Sequence, residues 1–424
     1  MTPDSTTGIH SAGSGLRAGA LAARAASAVL AQSSNAQRNR ALAAAAAALR
    51  VGQGNILAAN AEDLRAYEGL PALRDRLRLD ARRIEAMAVG LEEIAALADP
   101  LGRVMAEWTR PNGLRFRRVS TPIGVIGMIY ESRPNVGADA AGICLKSGNA
   151  VILRGGSDSF HSAGAIHAAI AEGVRAAGLP EAAVQVAPGR DRAFVAAMLS
   201  ASGLIDLIIP RGGKGLVTRV QAEARVPVLA HAEGLCHTYI HAAADPAMAR
   251  SIMVNAKMRR TDVCGATETL LIDAAIAPSL LPDIVGDLRA LGCEFRADAA
   301  ARAIVDGLPP ATEDDFDTEW LDRVLSVRVV GGVGEAIAHI ATHGSEHTEA
   351  IITEDAAAAE FFLNATSSAV VLWNASTQFC DGGEFGFGAE IGIATGRVQA
   401  RGPVGVEQLT TFRYQVRGSG QVRP

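Results

Sequence analysis

The sequence predicts an α/β protein of two interleaved domains, and three observations carry that expectation. The chain has 424 residues, more than a single hydrophobic core ordinarily organises. From Val125 onward, short apolar runs alternate with helical stretches, the rhythm of βαβ units built on a parallel sheet. A second series of the same kind begins after Tyr239.

The opening MTPDSTTGIHSAGSG is polar and glycine-rich, so residues 1–15 are expected to be a disordered tail. Helical periodicity fills 16–97. Alternation in LRFRRVSTPIGV then predicts a strand pair over 114–124. VIGMIY, AVILR, AVQVA, LIDLIIP and PVLA read as strands, separated by helices that start near Asn135, Phe160, Arg190 and Gly212. In the second series a helix over 246–257 precedes the strands TLLI, VLSVRVV and AIIT. The glycine-dense 381–396 region reads as loop, and the alternating QLTTFRYQVRG as a strand. No internal repeat is visible.

Composition narrows the function classes. Hydrophobic residues make up 49% and charged residues 20%, yet no apolar run approaches the roughly 20 residues of a membrane span. This excludes a transmembrane helix and wholesale disorder. Forty basic against 45 acidic residues give a net charge of −5, so neither nucleic acid nor an anionic membrane is an expected partner. Five cysteines without CxxC or CxxH spacing speak against a disulfide framework and for a reducing, cytoplasmic setting. The acid-poor start lacks a cleavage signal and an apolar core, so it is not read as a transit peptide. His231, His237, His241 and His347 have no metal-ligand spacing, and no metal is expected.

Only three lysines occur among the 40 basic residues, Lys146, Lys214 and Lys257, and each draws notice as a survivor of a drift toward arginine. Cys264 lies in NAKMRRTDVCGATETLLI, a polar, basic loop before a strand, where Arg259 and Arg260 are placed to favour a nucleophilic thiolate. Cys144 and Cys236 stand beside aliphatic residues and read as core. IIPRGGKGL puts Gly212 and Gly213 between a strand and a helix start, with Arg211 and Lys214 adjacent. That is either a backbone cradle for phosphate or a tight βα turn; it is neither a GxGxxG nor a P-loop. Arg154 ends AVILRGG, at the strand end where open α/β sheets bind ligands.

Together the segments TPIGVIGMIYESRPNVGADAAGICLKSGNAVILRGG, IIPRGG, NAK before Cys264, EHTEAIIT and NASTQFCDGGEFGFGAEIGIATGRVQARGPVGVEQLTTF resemble the gamma-glutamyl phosphate reductase family, the glutamate-5-semialdehyde dehydrogenases of the aldehyde dehydrogenase superfamily. The resemblance covers nearly the whole chain. It implies an aldehyde dehydrogenase-like fold of two interleaved Rossmann-like domains plus a β-hairpin oligomerisation arm. The cofactor domain would comprise 1–113, 125–240 and 366–396, the catalytic domain 241–365, and the arm 114–124 with 397–424. The implied activity is NADPH-dependent reduction of L-glutamyl 5-phosphate to glutamate 5-semialdehyde, in proline biosynthesis, through a Cys264 thioester.

Further roles follow from the same resemblance. The Cys264 backbone N–H and the Asn135 side chain would form an oxyanion hole, although Asn135 stands two residues beyond the usual position. Arg154 stands in for the superfamily's lysine and would contact the adenosine ribose or 2′-phosphate, Gly212 and Gly213 the pyrophosphate, and Glu319 the nicotinamide ribose. The usual acidic base of an ELGG-like segment is missing, since AHAEGLCH puts His231 or Glu233 near its place, which suits a reaction that activates no hydrolytic water. Lys257 and Arg260 are candidates for the substrate's phosphate or carboxylate, against the alternative of capping the preceding helix. A homo-oligomer is expected, and channelling from glutamate 5-kinase is compatible with this reading. The alternatives are another acyl phosphate, acyl-CoA or aldehyde as substrate, or a non-catalytic scaffold.

Overall fold

The computed structural model describes residues 5–69, 71–131, 133–230 and 233–423. Its contacts define two compact units. Unit 1 is Met1–Ala230, Gly386–Gly392 and Val404–Pro424; unit 2 is His231–Phe385 and Ile393–Pro403. The strands in unit 1 are β1 (Val104–Thr109), β2 (Arg115–Pro122), β3 (Val125–Tyr130), β4 (Ala150–Arg154), β5 (Val184–Val186) and β6 (Leu207–Arg211). Unit 2 contributes β7 (Cys236–Ile240), β8 (Thr267–Asp273), β9 (Glu294–Ala297), β10 (Val324–Val330), β11 (Thr348–Ile352), β12 (Val370–Trp373), β13 (Ile393–Ala394) and β14 (Gly402–Pro403). The last strand, β15 (Thr410–Arg417), returns to unit 1.

Unit 1 opens with the helices Ser5–Leu30, Asn35–Val51, Gln53–Ala66, Pro71–Leu77 and Ala81–Ala96. Ser34 and Asp80 accept backbone N–H groups at two of the helix starts, satisfying donors the helix cannot. Of the expected tail over 1–15, residues 1–4 lie outside the described residues, and the first helix takes in the rest. No proline follows Pro3 there, so the hydrogen-bond ladder of the alanine-rich segment propagates backward at little cost. No single described helix is long and apolar enough to cross a membrane. The 35–51 and 53–66 pair passes that test together but bends by 68° and packs against the Phe160–Ala176 helix.

The core of unit 1 is a parallel sheet in the order β5-β4-β3-β6. β3 is buried at every residue, as a strand covered on both faces must be, which is why VIGMIY shows no alternation. Chain order reverses between β3 and β6, so the carboxyl ends of those strands open a crevice of the kind where α/β sheets hold ligands. PVLA makes only an isolated bridge, Ile208 to Val228, since Pro227 has no N–H to extend a ladder.

Unit 2 holds a six-stranded sheet in the order β12-β11-β7-β8-β10-β9, parallel throughout. This corrects two expected boundaries. β7, before residue 241, pairs with β8 and β11, and β12, within 366–396, pairs with β11; ladder hydrogen bonding assigns both to unit 2. The arm differs as well. β2 pairs on one side with β1 and on the other with β15, all antiparallel, so the 114–124 segment is one strand of a three-stranded sheet. The 393–403 segment, part of it expected in the arm, forms the β13/β14 pair of unit 2. On the arm Trp108 stacks on Phe116 with centroids 5.5 Å apart and meets Tyr414 edge-on, leaving an exposed aromatic face.

Candidate active site

In unit 2 the chemistry gathers at the amino ends of three neighbouring strands. Cys264 lies three residues before β8, Gly234 two before β7, and Glu319 five before β10. The chain reaches the thiol through the Pro246–Met258 helix, whose start is fixed by Pro246 and by Asp245 accepting the Met248 N–H. At its far end Gln378 donates to the carbonyls of Ala256 and Arg260 at 3.1 and 2.8 Å, tying down the entry to the loop.

Cys264 is half-buried. Its carbonyl accepts from the Cys236 thiol at 3.0 Å, and a Cβ placed on Gly234 would sit 2.2 Å from that carbonyl oxygen and 2.6 Å from the Cys264 Cβ. Only glycine fits at 234. On the other side, a Cβ on Gly265 would be 3.2 Å from the Thr377 carbonyl. The Cys264 loop is therefore wedged between two backbones, a means of holding a thiol in one position. Cys236 packs in the core as expected, and burial pushes its thiol up. Cys144 does the same in unit 1.

The basic residues around the loop divide. Arg260 is exposed, and its guanidinium faces Asp262 at 3.2 Å. Arg259 reaches Gln378 at 3.4 Å. Lys257 departs from the expectation of a substrate contact. It is fully buried, with Nζ 2.5 Å from Oε2 of Glu268, itself 1% exposed. An ammonium enclosed this way satisfies an internal carboxylate, since both charges would otherwise be stranded away from water. Burial raises the Glu268 carboxyl to about 7, while Lys257 and the Leu321 N–H pull it down. Glu319 accepts the Gly234 N–H through Oε1 at 2.8 Å. Glu233 is half-buried in the same segment, and His231 lies outside the described residues.

In unit 1, β6 ends at Arg211, and Gly212 and Gly213 lead into the Lys214–Glu223 helix. The Gly213 N–H donates to Oε2 of Glu131 at 2.9 Å. A Cβ on Gly212 would meet that same oxygen at 2.4 Å. A carboxylate oxygen thus sits where a helix start favours an anion, and the donor fits a phosphate oxygen equally well. Arg154 is 7% exposed. Its Nη1 donates to the Gly155 carbonyl and its Nη2 to that of Arg190 at 3.1 Å, whereas its buried Nε has no partner among the described residues. The amide and the orphaned guanidinium N–H, both at strand ends of a βαβ sheet, suit the anionic part of a dinucleotide. Asn135 is at the start of the Val136–Lys146 helix, its Nδ2 3.5 Å from Asp139; burial raises the Asp139 carboxyl to about 6.

Among the described residues no cluster of three metal-ligating side chains occurs. Glu131, Gly234, Glu268 and Gln378 were not singled out from the sequence. A glutamate inside the strand run TETLLID was the available signal for Glu268.

Comparison with known proteins adds the family. The pattern of the Aldehyde dehydrogenase family matches residues 14–302. A gamma-glutamyl phosphate reductase of Gluconobacter oxydans (strain 621H) is 70% identical over 95% of this chain and 94% of its own. That of Acidiphilium cryptum (strain JF-5) is 69% identical over 96% and 97%. The crystal structure of gamma-glutamyl phosphate reductase from Thermotoga maritima, 43% identical, superposes with a TM-score of 0.94 over 96% of this chain and 100% of that one.

Proposed function

The chain belongs to the aldehyde dehydrogenase family and, within it, to the gamma-glutamyl phosphate reductases, and from that premise we propose how its own residues carry the reaction. The enzyme reduces L-glutamyl 5-phosphate to glutamate 5-semialdehyde in proline biosynthesis and takes a nicotinamide cofactor. In our reading the Cys264 thiolate attacks the acyl carbon, and the tetrahedral adduct collapses with loss of phosphate to a γ-glutamyl thioester. Addition of hydride gives a thiohemiacetal, whose alkoxide expels the thiolate to release the aldehyde. The cofactor, read as NADPH, supplies that hydride when bound.

The observation that carries this reading is the half-buried Cys264 thiol on a loop that Gly234 and the 377–380 turn hold from both sides. The Cys264 N–H and Asn135 are proposed as oxyanion donors, each worth about 10²–10³ in rate. Arg260 is proposed for the substrate's phosphate or carboxylate. Gly213 and Arg154 would hold the cofactor's phosphates and Glu319 its nicotinamide ribose. No described residue is needed as a hydrolytic base, because phosphate is the leaving group.

The test is run in the oxidative direction. Glutamate 5-semialdehyde and NADP⁺ should give NADPH only with inorganic phosphate present, less with NAD⁺, and none with Cys264→Ala. Phosphate-independent oxidation would move the enzyme to the hydrolytic aldehyde dehydrogenases. The aromatic-faced arm supports a homo-oligomer through edge-strand pairing, checked by light scattering on a Trp108→Glu variant. A cytoplasmic setting and delivery of the acyl phosphate from glutamate 5-kinase complete the proposal; co-elution of the two enzymes tests the latter.

A further inference from the structure

We propose that Glu268, held by Lys257, is a positioning residue that sets the Glu319 carboxylate, a role that rests on reading Glu319 as a cofactor contact. Its two oxygens are divided between two donors. Oε2 takes the Lys257 ammonium at 2.5 Å, and Oε1 takes the Leu321 N–H at 3.2 Å. Leu321 has φ 50°, a left-handed conformation that a leucine adopts at a cost and keeps only where its surroundings fix it. The residue two before it is Glu319, whose carboxylate accepts the Gly234 N–H at 2.8 Å. Gly234 in turn presses on Cys264.

One buried ion pair therefore fixes a strained turn, the turn fixes Glu319, and Glu319 joins the turn to the segment wedged against the nucleophile. Lys257 has its place in this account without touching substrate. A fully enclosed pair of this kind gains little net stability over an apolar pair of similar volume. What it provides is a carboxylate with a second oxygen left over for a backbone donor in a dry site. An amide cannot do both. Glutamine at 268 has one acceptor oxygen, so it serves either Lys257 or the Leu321 N–H and turns its own donors on the other.

That limitation defines the test, with NADP⁺ affinity measured by calorimetry on the folded enzyme. Glu268→Gln should weaken NADP⁺ about tenfold. Its KM for glutamate 5-semialdehyde should stay within about twofold of wild type, since the substrate contacts are untouched. Lys257→Met with Glu268→Gln frees the amide oxygen for Leu321 and should restore NADP⁺ affinity to near the wild-type value. Glu319→Gln runs beside them. If Glu319→Gln leaves NADP⁺ binding unchanged, the assignment of Glu319 fails; if it weakens binding while Glu268→Gln does not, the positioning role is overturned. Should Glu268→Gln fail to fold, the double variant and Leu321→Gly, which keeps the N–H but releases the turn, decide. Weakened binding by Leu321→Gly with wild-type binding by the double variant supports the role, and any other pairing overturns it.

Discussion

The two α/β units place comparable glycines in unlike surroundings. Gly212 of unit 1 and Gly234 of unit 2 both flank a strand of a parallel sheet, and neither has room for a Cβ. At Gly212 the obstruction is the Glu131 carboxylate and the Leu216 side chain, groups that can swing away. At Gly234 it is the backbone and Cβ of Cys264, which cannot move without moving that thiol. In unit 1, then, a movable carboxylate stands at a helix start, a position that suits an anion. In unit 2 the Cys264 loop is held by backbone, beside two buried contacts, Lys257 Nζ on Glu268 at 2.5 Å and His237 Nδ1 on Glu349 at 2.9 Å.

The largest expected effect falls on unit 2. Cys264→Ala should lower turnover by at least about a thousandfold, and turnover assays check it; a residue of comparable activity would break the distinction at its root. Gly234→Ala should come next. Displacing the loop by an ångström is expected to lower kcat about a hundredfold. Gly212→Ala sharpens the contrast, because pushing aside a flexible carboxylate should leave kcat within about threefold. Melting curves of the two variants add a second check, Gly234→Ala losing about 1–3 kcal/mol more stability than Gly212→Ala.

Smaller effects follow from charge. Glu131→Gln keeps an acceptor for Gly213 but removes the repulsion between its carboxylate and an incoming phosphate. NADP⁺ should bind about three- to fivefold more tightly, by calorimetry. In unit 2 His339 lies among His237, Phe316 and His343, and burial lowers it to about 2, with those histidines and Arg328 adding to the shift. The unfolded chain binds a proton near pH 6.5 and the folded chain does not. His339 therefore contributes stability above about pH 6.5 that is lost progressively as pH falls toward 2. A His339→Leu variant should show a flatter acid limb, losing a few degrees less Tm, roughly 3, between pH 7 and 5.

The same contrast explains what was legible in the chain. β3, β4 and the 246–258 helix, and β10 to its ends, follow from apolar runs and a Pro after an Asp N-cap, all local signals. Gly212 and Gly213 stand out because a strand, two glycines and a helix are contiguous. The unit to which β7 and β12 belong is not legible locally, because sheet membership is decided by pairing with β8 and β11, far away in sequence. Lys257 stands out by its survival among arginines, but its neighbour is Glu268 and not the substrate. Whether a lysine at a helix end faces solvent or a buried glutamate 11 residues on depends on packing that no spacing encodes. Nothing local marks Gly234, because its constraint comes from Cys264, 30 positions away.

The covalent role of Cys264 is the centre of the account, and trapping its acyl adduct tests it most directly. Glutamate 5-semialdehyde and NADP⁺ are mixed with enzyme without phosphate, quenched in acid within milliseconds, and digested for mass spectrometry. A glutamyl group on the peptide containing Cys264, formed with one NADPH and discharged by added phosphate, is the predicted result. NADPH formed without any acylated Cys264, or an adduct on another residue, would contradict it.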